Sequence, residues 1–178
     1  CNGVTSADSA STLHAYDAIM EITGPDGVRT VPIHDFYISA GKVDLKHGEL
    51  LTSILIKKES YENYYGHYIK YAMRNAMDIA TTGCSANVKL SDDKKTIVSA
   101  RIAYGVAAPV PIRAKSAEEF LNGKEATAEN IAAFAKKALD DVNPRTSWRA
   151  SKELRLQLIE ELSKRAMTEA VRLAGGEI

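Results

Sequence analysis

The residue with the most obvious chemical potential is Cys84, within Thr82-Gly-Cys-Ser85, because a thiol beside a base such as His67 or His34 can act as a nucleophile. Its neighbours argue for a quieter role. Cys84 falls in phase with Ala86, Val88 and Leu90, which alternate with Ser85, Asn87 and Lys89 as on a half-buried antiparallel strand. A cysteine on the buried side is a small hydrophobe unless something lowers its pKa. The four histidines, His14, His34, His47 and His67, lack ligand spacing, so no metal site is expected. Tyr61, Tyr64, Tyr65, Tyr68 and Tyr71 either stack a nucleobase or line a strand edge and a subunit contact. Residues 70–79, Lys-Tyr-Ala-Met-Arg-Asn-Ala-Met-Asp-Ile, place two cations and one acid among apolar residues. Salt-bridged structure explains that pattern, and so does a segment facing a cofactor. There is no Walker loop, G-x-G-x-x-G, H-E-x-x-H or G-x-S-x-G motif, and no catalytic residue is assigned.

These side chains need a scaffold, and 178 residues suffice for one medium domain or a small domain plus part of another. Acids and bases balance at 23 each, and the lysine pairs are dispersed, which disfavours nucleic acid or an anionic membrane as a partner. No stretch reaches the roughly 20 apolar residues of a membrane span. Two cysteines, Cys1 and Cys84, can neither build a disulfide framework nor hold an iron–sulfur cluster, so any such cluster belongs to a partner. A reducing cytoplasm is the expected location, with Cys1 rather than Met at the start pointing to a removed or missing upstream segment.

The first ten residues are small and polar without periodicity, like a free terminus or a loop of a larger domain. Residues 18–23 and 28–31 predict a hairpin around Gly24-Pro-Asp-Gly27. A helical turn over 32–37, a loop to Gly48 and a strand over 50–57 follow. The tyrosine-rich stretch at 59–65 marks a domain boundary, giving units of 1–60 and 61–178. Beyond it lie strands at 68–73, 84–90 and 97–106, the last two joined by Ser91-Asp-Asp-Lys-Lys95. Three helices complete the chain. Ser116-Ala-Glu-Glu119 fits a capping box, Thr127 caps a helix with Ile131, Phe134, Ala135, Ala138, Leu139 and Val142 on one face, and Ser151 opens a long helix with Leu154, Leu158, Leu162, Ala166 and Ala170 in a stripe. The second unit is thus α+β, a three-stranded antiparallel sheet with a three-helix bundle.

Several segments occur in a telling order: Thr5-Ser-Ala-Asp-Ser9, Gly48-Glu-Leu-Leu51, Lys70-Tyr-Ala-Met-Arg74 with Asp78-Ile79, Tyr104-Gly-Val-Ala-Ala-Pro-Val-Pro-Ile-Arg113, and Ser147-Trp-Arg-Ala-Ser151. Together they resemble the medium, FAD-binding subunit of bacterial xanthine dehydrogenases and related molybdenum hydroxylases. The resemblance implies that residues 1–60 are the remnant of a second FAD-binding lobe and 61–178 the C-terminal domain. It also implies cofactor-binding roles: Asp8 contacting FAD, Leu51 packing by the flavin, Lys70 at the cofactor, and Asp78 and Ile79 at the flavin ring, with Ile79 shielding one face. An acid suits ribityl hydroxyls, apolar side chains suit a flat ring, and a cation tunes reduced flavin.

The resemblance further implies an electron-transfer role. A large molybdopterin subunit would oxidise the substrate, two [2Fe–2S] clusters in a small subunit would relay electrons, and FAD here would pass them to NAD⁺. The family's Gly-rich phosphate-binding loops have no counterpart in this sequence, so a separate chain carrying the N-terminal FAD lobe is an expected partner and the isolated chain is expected to be inactive. The alternative is a docking fragment without flavin.

Overall fold

The computed structural model describes residues 3–178; Cys1 lies outside them. The chain runs α1 (Asp8–Ala15), β1 (Ile19–Gly24), β2 (Gly27–Pro32), α2 (Ile33–Phe36), β3 (Tyr37–Ser39), β4 (Lys42–Val43), β5 (Leu50–Leu55) and α3 (Lys58–Tyr61). It continues through β6 (Tyr65–Tyr71), β7 (Thr82–Leu90), β8 (Ile97–Gly105), β9 (Ile112–Arg113), α4 (Lys115–Leu121), α5 (Ala128–Lys137) with a 3-10 turn at Ala138–Asp141, and α6 (Lys152–Leu173). The Gly24–Gly27 turn closes the β1–β2 hairpin in register, and β5 pairs with the other side of β1. A first apolar core gathers Ala18, Met20, Ile22, Val31, Ile33 and Phe36 on this small sheet.

The second sheet is antiparallel in the order β6-β7-β8-β9. Its three long strands are those the sequence predicts, and the two-residue β9 extends it where Pro109 and Pro111 end the loop after β8. Cross-strand pairs Cys84↔Tyr104, Ala86↔Ile102 and Val88↔Ala100 belong to the larger core, where β7 packs against α6 and β8 against α4. β6 starts at Tyr65, three residues before the predicted strand and ends at Tyr71. An edge strand pairs through its backbone, so tyrosines and Gly66 join it without the alternation that marks an inner strand.

Four expectations need correction. The polar N-terminal stretch is not a free terminus over its whole length, because Asp8–Ala15 is a helix. Its buried face is Ala10, Ser11, His14 and Ala15, small or polar groups that permit close approach to β7 and β8 but carry no hydrophobic signal. For the same reason β7 is not half buried. Ser85 and Asn87 lie beneath α1 and are as buried as Cys84. Asn87 Nδ2 and Arg101 Nη1 donate to the Ala15 carbonyl at 3.2 and 3.4 Å, closing the helix C-terminus with an amide and a cation.

His14 sits at this junction, 1% exposed, its Nδ1 donating to the Ala10 carbonyl at 2.7 Å and its ring edge-on to His34 at 5.1 Å. Burial pulls its pKa down to about 4 from 6.5, against the opposing effect of the Ala10 hydrogen bond, and the charges of His34 and Arg113 assist burial. Between pH 6.5 and 4 only the unfolded chain protonates at this residue, so stability falls as pH drops through that window. Thermal unfolding followed by circular dichroism is expected to show this slope, and His14→Gln to flatten it. An unchanged slope in the variant would assign the pH dependence to other groups.

The capping box is also displaced. Helix α4 starts at Lys115 with Ala114 as its N-cap, and Ser116 donates from both N and Oγ to Asp141, at 2.9 and 2.6 Å. The inward carboxylate is Glu118 rather than Glu119. Thr127 and Ser151 do cap α5 and α6, each accepting an amide at 3.2 Å. On α6 the buried stripe is Arg155, Ile159, Leu162, Ser163, Ala166, Met167, Ala170 and Val171, so Leu154 is exposed and Leu158 only half buried.

Candidate functional site

Cys84 lies outside any site. It is fully buried, burial pushes its thiol pKa far above the ordinary value, and its partner is the Ser163 hydroxyl. Among the described residues no histidine hydrogen-bonds it, and burial keeps it from any substrate, so the nucleophile reading fails. Among the described residues no group of His, Cys, Asp and Glu is arranged to hold a metal ion.

Four of the five residues singled out from sequence come together. Asp8, Lys70, Asp78 and Ile79, with Arg74, Met77 and Arg149, line an open cleft of about 560 Å3. Its frame comes from three places: the first turn of α1, the end of β6 with the loop at 72–80, and the segment before α6. Lys70 projects from the edge strand and bridges two of them, donating from Nζ to Asp8 Oδ2 at 2.9 Å and to the Asp78 carbonyl at 2.7 Å. Tyr68, two residues earlier on the same face, donates its hydroxyl to Asp8 Oδ1 at 3.3 Å. Burial first, and the Asp8 charge second, push the Tyr68 pKa up and keep it a donor.

Asp78 shapes the loop. Its Oδ2 accepts the backbone N–H groups of Met73 and Arg74 at 2.9 and 3.0 Å, and Oδ1 accepts that of Ile79 at 2.9 Å. Desolvation, the largest single effect on this carboxyl, is outweighed by those donors and the Arg74 charge together, which hold its pKa below the usual carboxylate value. With its oxygens so engaged, Asp78 organises residues 73–79 and presents Ile79, whose side chain stays about half exposed at the cleft.

Two cations were not assigned a role from sequence. The Arg74 guanidinium donates to the Met77 carbonyl, leaving it without a carboxylate partner among the described residues. Arg149 stacks on the Trp148 ring at 4.0 Å, and its Nε is buried with no hydrogen-bond partner. A buried guanidinium N–H without an acceptor is costly, and a carbonyl or phosphate oxygen is the group that would satisfy it. The Trp-Arg pair in Ser147-Trp-Arg-Ala-Ser151 was visible in the sequence, yet nothing local tells that Arg149 reaches a loop seventy residues upstream.

Leu51 is elsewhere. It is half buried on β5 and lines a second, apolar cleft of about 500 Å3 with Leu13, Met20, Phe36, Val43 and Ile54. Ala7 and Ser9, on either side of Asp8, also line it, so the two clefts flank the first turn of α1.

Residues 67–170 match the family described as CO dehydrogenase flavoprotein C-terminal domain, and residues 1–57 match the FAD binding domain in molybdopterin dehydrogenase. The chain belongs to the flavoprotein subunit family of the molybdopterin dehydrogenases. Among curated members of that family, it is 46% identical over all 178 residues to the xanthine dehydrogenase FAD-binding subunit of Escherichia coli O157:H7. It is 28% identical over 171 residues to the glyceraldehyde dehydrogenase medium chain of Sulfolobus acidocaldarius, covering 93% of this chain and 59% of that one. The structure of quinoline 2-oxidoreductase from Pseudomonas putida 86 superposes with a TM-score of 0.86 at 27% identity, covering 97% of this chain and 59% of the other. That of carbon monoxide dehydrogenase from Hydrogenophaga pseudoflava gives 0.86 at 27% identity, covering 97% and 58%. The chain spans 60% of the length of the Escherichia coli relative. No helix among the described residues is long and apolar enough to cross a membrane.

Proposed function

We propose that this chain supplies half of an FAD site in a multi-subunit molybdenum hydroxylase of the xanthine dehydrogenase type, with units 1–60 and 61–178 meeting at that site. The reading rests on one observation above all. Asp8, Lys70, Asp78 and Ile79, named from sequence as cofactor-facing, converge on one cleft from segments sixty residues apart. The 46% identity to a xanthine dehydrogenase FAD-binding subunit supports the choice of enzyme type.

The residues present suit a flavin in part. Ile79 offers an apolar contact for a ring, Asp8 an acceptor for sugar or ribityl hydroxyls, and Arg149 an unsatisfied donor for an anionic or carbonyl oxygen. Lys70 and Arg74 hold positive charge at the cleft, which favours an anionic ligand there. When bound, FAD supplies the exchange between one- and two-electron transfer that couples iron–sulfur clusters to a hydride acceptor. What this chain contributes is orientation: Asp78 fixes the loop, Ile79 shields the ring, and Lys70 joins that loop to α1. The exposed tyrosines Tyr61, Tyr65 and Tyr71 suit a subunit contact. A small [2Fe–2S] subunit, a large molybdopterin subunit and NAD⁺ as acceptor complete the assembly, and the remaining FAD lobe comes from a further segment or chain.

One observation favours the alternative, a docking unit with no flavin. Both Asp8 oxygens are already engaged by Lys70 and Tyr68. The two readings part in a visible absorption spectrum of the purified chain before and after adding FAD. A flavin band or saturable uptake supports the site; none after titration leaves the docking unit.

Given uptake, Asp8→Ala and Lys70→Ala are each expected to weaken FAD binding by roughly 10- to 100-fold, the loss of one charge-assisted hydrogen bond. The same changes should move unfolding stability by only about 0–1 kcal/mol, because the pair is partly exposed, Asp8 at 52% and Lys70 at 28%. Isothermal titration beside urea denaturation measures both. Full FAD affinity in Asp8→Ala would remove Asp8 from the site.

A further inference from the structure

The largest fully buried side chain is an arginine that no ion pair explains. Arg155, in the first turn of α6, is 2% exposed and has no carboxylate partner among the described residues. Burial first, and then the charges of Arg145 and Arg149, both cations, lower its pKa from the ordinary guanidinium value. Taking an unpaired guanidinium out of water is expensive, so its hydrogen bonds must offset a large penalty. Nε donates to the Thr81 carbonyl at 3.2 Å. Nη1 donates to the carbonyls of Arg145 and, at 3.2 Å, Ala150; Nη2 donates to Ser147 Oγ at 2.9 Å.

Those acceptors fall on two segments far apart in sequence. Thr81 ends the loop that carries Asp78 and Ile79, and its N–H donates to the Tyr71 carbonyl at 2.8 Å across the loop's neck. Arg145, Ser147 and Ala150 bracket Trp148 and Arg149. A planar fork with fixed donor directions can hold two backbone segments in one relative position; a lysine, with a single rotatable ammonium, cannot.

We infer that Arg155 is a positioning residue for the cleft, a buried clamp that sets the Trp148–Arg149 segment against the Asp78–Ile79 loop. The role in cofactor binding rests on the flavin reading above; the clamp itself does not. Cofactor affinity then depends on a side chain that touches no ligand. The two loops also open together, because one guanidinium closes both.

Hydrogen–deuterium exchange on the 178-residue chain tests the clamp without any ligand. Arg155→Met, similar in length but with no donors, is expected to speed exchange at residues 72–81 and at 145–150 together by roughly tenfold, with residues 84–90 unchanged, as local opening requires. Arg165→Met, on the exposed face of the same helix, is the control and should change neither segment. Acceleration at only one segment, or at neither, overturns the clamp. If Arg155→Met loosens residues 84–90 as well, Ser147→Ala decides. It removes one acceptor on one segment, and a clamp transmits that loss as faster exchange across the gap at 72–81; silence there overturns the proposal. Titration with FAD then separates the two readings. Loops coupled in exchange with no FAD uptake by the parent chain would retain the clamp and sink the flavin site. FAD bound equally well by parent and Arg155→Met would retain the site and sink the clamp's role in it.

Discussion

Phe134→Ala is expected to destabilise the fold by about 3–5 kcal/mol, as large-to-small truncation in a tightly packed core does. Phe134 is fully buried in the larger core, on α5, which packs against α4 and α6. Close-packed neighbours relax only in part, so some of the vacated volume should persist as a cavity. Leu158→Ala makes the informative comparison. The spacing of apolar residues puts Leu158 in the buried stripe of α6, but the stripe runs through Ile159, and Leu158 is half exposed. Its truncation should cost about 1 kcal/mol, the transfer free energy of a partly buried leucine. Urea denaturation followed at 222 nm measures both. Equal losses would mean that α6 is rotated relative to the arrangement described above.

Glu118→Ala should cost a similar amount, about 3–5 kcal/mol, by a different route. Glu118 accepts both forks of Arg113, Nε to Oε1 and Nη2 to Oε2, each at 2.7 Å, and also accepts the Ile102 amide at 2.9 Å. Both side chains are nearly out of water, at 7% and 5% exposed. Removing the acid strands a buried guanidinium and a strand amide together. Arg113 would keep only Asp17, which it shares with His34 and Arg101. The carboxyl of Asp17 loses some solvation by burial, yet the His34 hydrogen bond and the two arginines hold its pKa well below the usual carboxylate value. This group links the small sheet to the larger one, since Asp17 and His34 precede β3 while Arg101, Arg113 and Glu118 belong to β8, β9 and α4. A double change, Arg113→Met with Glu118→Leu, should recover much of the loss, because a buried ion pair is poor value beside apolar packing of equal size. A double variant no better than Glu118→Ala would show that the pair is needed for the junction's geometry.

Local chemistry determined much of this protein. The Gly24–Gly27 turn closes the predicted hairpin, residues 84–90 form a strand as predicted, and Thr127 and Ser151 cap the helices they were expected to cap. Each of these features is written within a few residues, where φ/ψ preference and side-chain period act directly. The order of motifs likewise points to the flavoprotein family.

Tertiary structure decided the rest. Asp8–Ala15 is a helix because β7 and β8 bury its alanines, serine and histidine, a face without an apolar period to read. Burial on both sides of β7, the shift of the α6 stripe from Leu158 to Ile159, and the choice of Glu118 over Glu119 all follow from partners far away in the chain. Arg155 is the extreme case. In the sequence it is one more cation at the polar start of a helix; in the fold it is buried and holds two loops through backbone carbonyls. Carbonyl acceptors carry no side-chain signature, so contacts of this kind are invisible until the chain is folded.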